Sequence, residues 1–271
     1  MNTILLVGAG NMGFSMLQGW LRMLDDSDRF VVVDPAAGPR LETLQPAQRA
    51  RILALSDLAE LPDDTQLSAA IFATKPNNVC DAVGQIRDRL SPETVLISVA
   101  AGLGIKDICQ SAAPGQAVVR VMPNIGALIG RSASAGFASA TTDKAQSDLV
   151  KLLFDALGHF TWLQSEEDMH LVTAVSGSGP AYFFAMCEAM IDVAMDSGLE
   201  RDVAETLVHA TCAAAGGLID RTPDATTLRK QVTSPGGTTA AGTEALAKND
   251  SLRTVMAKAI HAARQRSIEM S

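Results

Sequence analysis

Three glycines spaced Gly8-x-Gly10-x-x-Gly13 follow the strand-like run TILLVG (3–8) and open a helical pattern over 11–25. A strand that passes through a tight turn into a helix leaves unpaired N–H groups facing the positive end of the helix dipole. That arrangement suits a pyrophosphate. Gly8 permits the turn, Gly10 lets the phosphates approach the backbone, and Gly13 lets helix and strand pack closely. The next strand ends at Asp34, 21 residues after Gly13, where a carboxylate accepts from ribose hydroxyls. The chemistry is dinucleotide binding. Asp34 repels a 2′-phosphate and favours NADH, while the loop Pro35–Arg40 can turn away and bring Arg40 to such a phosphate, so the cofactor stays NADPH or NADH.

Two later turns repeat the theme. VSGSGPAY (175–182) sets Gly177 and Gly179 around Ser178, with Pro180 suited to the first turn of a helix. KQVTSPGGTTAAGTEAL (230–246) sets Ser234-Pro-Gly236-Gly237 before Thr238, Thr239 and another helical pattern. Each has two readings on its own: a tight, capped helix entry, or a small anion site built from first-turn amides.

Strand-like runs at 3–8, 30–34, 69–74, 94–100, 117–122 and 133–139 alternate with helical patterns at 11–25, 39–48, 77–90 and 104–112. A helix at 143–157 and a strand at 159–163 follow. This alternation predicts an α/β fold, a Rossmann-type doubly wound parallel sheet covered on both faces. From residue 164 the strand signal stops, and helices are expected at 166–175, 179–197, 201–220, 224–232, 238–248 and 251–268. Two domains are therefore expected: 1–163 for the dinucleotide, and an all-α 164–271. Small residues at 210–218 (ATCAAAGGL) suit close helix packing within a bundle or with a second copy. Ligands of such sheets lie outside the strands' carboxyl ends. The candidates there are Thr74-Lys75-Pro76, Ala100-Ala101, and Met122-Pro123-Asn124. Lys75 reads better as a strand-end cation, held by carbonyls or a phosphate, than as a catalytic amine, because nothing marks it as desolvated.

The 271 residues are 47% hydrophobic, only 4% aromatic, and carry a net charge of −8. With no basic patch, nucleic acid is not an expected partner. Cysteines at 80, 109, 187 and 212, and four scattered histidines, match no metal spacing, so no metal is expected and reduced thiols fit a cytoplasmic protein. MNTILLVGAG lacks a basic leader region. The most apolar long helix, 179–197, carries Glu188, Asp192 and Asp196 along one stripe, which excludes it as a membrane span.

Taken together, GAGNMG (8–13), TKPN (74–77), SVAAG (98–102), RVMPN (120–124), SGSGPAY (176–182) and SPGGTT (234–239) resemble the pyrroline-5-carboxylate reductases. The motifs stand in family order and span nearly the whole chain, and the last two are specific to the family. Asn77 stands where the family usually has Gln, and Asp34-Pro35 is not its commonest strand ending. The resemblance implies reduction of the cyclic imine 1-pyrroline-5-carboxylate to L-proline with NADPH or NADH, the last step of proline synthesis. It also implies a homo-oligomer whose C-terminal helices interlock. Cofactor contacts are expected from Gly8, Gly10, Asn11, Met12, Gly13, Asp34, Thr74, Lys75, Pro76, Ala100, Ala101, Met122 and Asn124. Substrate contacts are expected from Ser176, Gly177, Ser234, Gly236, Gly237, Thr238 and Thr239, with Thr239 and Ser178 as catalytic candidates. The anion reading of SPGGTT then outweighs the simple cap, because the imino acid carries a carboxylate. Among relatives of similar plan, β-hydroxyacid dehydrogenases use a lysine on the helix after a GxG turn; counted from Gly177-x-Gly179, that position holds Phe183. A dinucleotide-binding sensor without catalysis is the alternative from another class.

Overall fold

A computed structural model describes residues 1–222 and 224–271. By compactness the chain forms two units, residues 1–178 with 263–271, and residues 179–262.

The first unit is built on eight strands: β1 (Thr3–Val7), β2 (Arg29–Val33), β3 (Ile52–Leu55), β4 (Ala69–Phe72), β5 (Val95–Ser98), β6 (Ala117–Met122), β7 (Ser132–Ala138) and β8 (Gly158–Trp162). They pair in the order β3-β2-β1-β4-β5-β6-β7-β8. Helices between them are α1 (Asn11–Met23), α2 (Gly38–Leu41), α3 (Pro46–Arg49), α4 (Pro76–Ile86), α5 (Ile105–Ser111) and α6 (Lys144–Asp155), followed by α7 (Asp168–Val172). Alternate residues of β1 go to opposite layers. Ile4 and Leu6 join Met16, Trp20 and Phe154 on one face, while Leu5 and Val7 join Val79, Val83 and Ile108 on the other. Burial on both faces is why the strands read as continuous apolar runs. Trp20 closes one layer, its indole N–H donating to the Leu153 carbonyl at 2.8 Å.

Three local expectations are corrected. The sheet is mixed: β7 pairs antiparallel to β6, and β8 runs parallel to β7. The β6–β7 connection holds only a 3₁₀ turn, Ile125–Ile129, too short for a parallel crossover. The helix expected over 39–48 is two short pieces, α2 and α3, because Pro46 starts a new helix and cannot continue the old one. The strand β3 is an addition to the expected set. It has four residues at the sheet edge, and its burial does not alternate.

The second unit holds α8 (Gly179–Asp196), α9 (Arg201–Arg221), α10 (Ala225–Gln231) and α11 (Thr238–Ala247), with most of α12 (Ser251–Glu269). Among its described residues, the buried apolar core is Cys187 and Ile191 of α8 with Ala204 and Val208 of α9. The neighbouring Cys212 thiol, then burial, pushes the Cys187 thiol above its usual range. Large apolar side chains lie exposed on the same helices, among them Phe183 (59%), Phe184 (61%) and Val193 (65%). Such a unit buries little by itself. Among the described residues, no helix is long and apolar enough to cross a membrane.

Candidate active site

At the carboxyl end of β1, Gly8 takes φ +93° and a Cβ there would stand 2.8 Å from the Ala73 carbonyl oxygen of the next strand end. Only glycine combines that backbone angle with that approach. Gly10 is the N-cap of α1 and has no side chain to occupy the first turn; nothing lies within 4 Å of where its Cβ would be. The first-turn amides of Asn11, Met12 and Gly13 have no intrahelical acceptor. This is an open cradle that fits a pyrophosphate.

Asp34 stands beside it, half-buried. One carboxylate oxygen accepts the Ala9 N–H at 2.7 Å, the other the Ala36 N–H at 2.8 Å. The acid thus pins the glycine turn to its own loop and keeps lone pairs for further donors. Arg40 reaches across to Asn11, donating to its Oδ1 at 2.8 Å, and its guanidinium lies 5.9 Å over the Phe14 ring. The loop therefore brings a cation to the mouth of the cradle.

Along the same edge, Lys75 caps the start of α4, with Thr74 before it and Pro76 opening the helix. Ala100 is buried, and its N–H donates to Ser98 Oγ at 3.3 Å. The loop after β5 is held by a device not found in the sequence. Buried Arg120 of β6 donates to Glu166 at 2.7 Å, and the same carboxylate oxygen accepts the Ile105 N–H at 2.8 Å, fixing the start of α5. Glu166→Ala would leave the Arg120 cation without its partner. Because Glu166 is one-third exposed, we expect a loss of about 2–4 kcal/mol in a denaturant titration, not the full burial penalty.

At β6 the edge meets the first of the later turns. After α7 the backbone widens into a π-turn, Thr173–Gly177, in which the Ser178 N–H donates to the Thr173 carbonyl at 2.8 Å. Such turns recur at functional sites. A Cβ on Gly177 would lie 3.6 Å from Met122 Sδ, so Ser176-Gly177-Ser178 and the strand end Met122–Asn124 are neighbours. Met122 and Asn124 are both buried. The Asn124 side chain is spent inside the chain: its amide donates to the Ser176 carbonyl at 3.0 Å, and its Oδ1 accepts from Gly126 at 3.0 Å and Ala133 at 3.4 Å.

In the second unit, Ser234-Pro-Gly236-Gly237 makes the bend before α11, with Gly236 at φ +70°. The Gly237 N–H donates to the Ser234 carbonyl at 3.1 Å, so that amide is not available to a ligand. Gly237 is the N-cap and has no side chain, while Thr238 and Thr239 are the first two helical residues. The turn is therefore not plugged by an N-cap side chain, and the amides of Thr238, Thr239 and Ala240 face outward from the positive helix end.

Comparison with known proteins bears on the whole chain. Residues 166–270 match a family model described as pyrroline-5-carboxylate reductase dimerisation. Residues 3–102 match one described as NADP oxidoreductase, coenzyme F420-dependent. The pyrroline-5-carboxylate reductase of Pseudomonas aeruginosa is 32% identical over 269 residues, covering 99% of this chain and 96% of that protein. A solved pyrroline-5-carboxylate reductase from Coxiella burnetii matches with a TM-score of 0.90 at 29% identity, over 100% of this chain and 98% of that one. Pyrroline carboxylate reductase from Plasmodium falciparum, solved with NADP bound, gives 0.80 at 25% identity, over 99% and 98%. A glycine cradle on a doubly wound sheet, a helical second half and end-to-end likeness point one way: the chain belongs to the pyrroline-5-carboxylate reductase family.

Proposed function

We propose that this chain reduces 1-pyrroline-5-carboxylate to L-proline, with residues 1–163 holding NADPH or NADH and residues 164–271 supplying the imino-acid pocket and the dimer contacts. The observation that carries this reading is the adjacency of the 176–178 turn to the β6 end, on the same sheet edge as the glycine cradle. When bound, the reduced nicotinamide would supply a hydride to the C=N carbon; one proton in all, taken up at the nitrogen before or with the hydride, completes the secondary amine. A protonated cyclic imine is already electrophilic, so the protein's task is orientation more than acid strength. The substrate's carboxylate is assigned to the first-turn amides of α11 at Thr238 and Thr239, in the bend made by Ser234, Gly236 and Gly237. The Thr239 hydroxyl bonds the ring nitrogen and relays the proton to it; Ser178, Ser176 and Gly177 are further candidate substrate contacts.

Gly8, Gly10, Asn11, Met12 and Gly13 would hold the cofactor's phosphates, and Thr74, Lys75, Pro76, Ala100, Ala101 and Met122 would line its nicotinamide half. The second unit's small core and exposed Phe183, Phe184 and Val193 support interlocking of its helices with those of a second copy. Four free cysteines fit a reducing cytoplasm.

The test is oxidation of NADPH and NADH by the purified chain given the imine, with proline identified as product. Both cofactors should be oxidised. Normal cofactor binding without oxidation would leave a dinucleotide sensor instead. Arg40 sets the preference between the two cofactors. Arg40→Ala should weaken NADPH binding by roughly tenfold and NADH binding by under threefold in calorimetry, because a charged partner of the 2′-phosphate is worth about 1.5 kcal/mol or more.

A further inference from the structure

Sequence position alone makes Asn124 a cofactor contact, but its hydrogen bonds run the other way. It is 9% exposed. Its own N–H donates to Ser132 Oγ at 3.1 Å, and its Oδ1 caps the 3₁₀ turn through the Gly126 N–H. The remaining group, the side-chain amide, donates to the carbonyl of Ser176. Chain chemistry explains why that carbonyl needs an outside donor. In an α-helix it would accept from the residue four positions on, and that residue is Pro180, which has no N–H. The i→i−5 bond from Ser178 to Thr173 shows the same stretch already displaced from α-helical pairing.

We infer that Asn124 is a positioning residue, which holds the Ser176-Gly177-Ser178 turn in its π-conformation against the end of β6 and so sets the substrate side of the pocket. The inference rests on the reading of residues 176–178 as substrate contacts. Asn124 then acts through the turn and touches neither the dinucleotide nor the reacting atoms. Substitution should therefore move imino-acid binding and leave cofactor binding alone.

Asn124→Ala in the full-length protein is the first variant. Amide hydrogen exchange across 173–182 should quicken at least tenfold without any substrate present. The KM for the imine should rise about tenfold, while the NADPH Kd measured by calorimetry stays within twofold. Adding Pro180→Ala to that variant offers the Ser176 carbonyl an α-type partner four residues on, and should recover exchange protection while leaving the KM raised, because the π-turn is not rebuilt. Asn124→Asp serves if the alanine variant does not fold. It keeps an acceptor for the 3₁₀ turn and sets a carboxylate oxygen against the Ser176 carbonyl in place of the donor, with the same expected changes in exchange and KM. Unchanged exchange across 173–182, or a tenfold weaker NADPH Kd with KM unmoved, would overturn the inference. A wild-type chain that does not reduce the imine would remove the functional reading, and the exchange result would still decide the role of Asn124.

Discussion

Gly13→Ala should weaken NADPH and NADH binding more than a hundredfold and lower the melting temperature. A Cβ at residue 13 would overlap the Gly8 carbonyl oxygen and stand 3.3 Å from the Ala73 Cβ. Both neighbours are backbone or fixed directly to it, so neither can swing away as a side-chain tip would. Overpacking of this kind costs about 1–3 kcal/mol in stability. The binding loss is larger, since α1 must shift away from β1 and carry its first-turn amides with it. Gly84→Ala is the control. Gly84 lies inside α4, and nothing stands within 4 Å of the place an added methyl would take, so alanine there should be neutral or stabilise by about 0.5–1 kcal/mol. Calorimetry with both cofactors, beside thermal melts, separates the two effects. Normal cofactor affinity in Gly13→Ala would mean that the phosphates do not sit on this turn.

Thr239→Ala should lower kcat by roughly a hundredfold or more while leaving the NADPH Kd within twofold, the range expected for losing a positioned proton donor. The residue is the second of α11, two positions after a glycine N-cap. Its amide remains in the alanine variant, so binding of the substrate carboxylate is largely kept. The loss falls on the step in which the ring nitrogen becomes an amine. Thr239→Ser keeps the hydroxyl and should recover most of the rate. Equal steady-state constants for Thr239→Ala and the parent would take this hydroxyl out of the reaction.

These two sites are legible in the sequence because each is a local pattern. Gly8, Gly10 and Gly13 sit between a strand and a helix, and Gly236-Gly237 sit directly before one, so residue type and spacing specify the backbone. β1, β2, β4, β5 and β6 read as apolar runs because both their faces are buried, and β8 as a short run of mixed burial. What stays hidden depends on contacts between distant residues or on the absence of a pattern. β3 is four residues at an edge. The reversal at β7 follows from a connection whose length, and not its composition, forbids a crossover. Glu166 lies 46 residues from Arg120, and Ser176 lies 52 from Asn124. Neither pairing leaves a periodic trace. The π-turn at 173–177 extends a helix that residue pattern places over 166–175, and only the missing N–H of Pro180 hints at it. Position before a helix makes Gly237 an amide donor to substrate, but its N–H instead closes the turn on Ser234.

A crystal structure of the assembled protein with NADPH and L-proline would decide where the imino acid sits, because a reduced cofactor and a reduced product cannot react. We expect the proline carboxylate on the amides of Thr238 and Thr239, its ring nitrogen within hydrogen-bond reach of Thr239 Oγ1, and the ring carbon on the side of the nitrogen away from the carboxylate facing the nicotinamide. We also expect the pyrophosphate on the amides of residues 10–13. Proline bound away from the start of α11 in every subunit, or a nicotinamide that does not face it, would refute this arrangement.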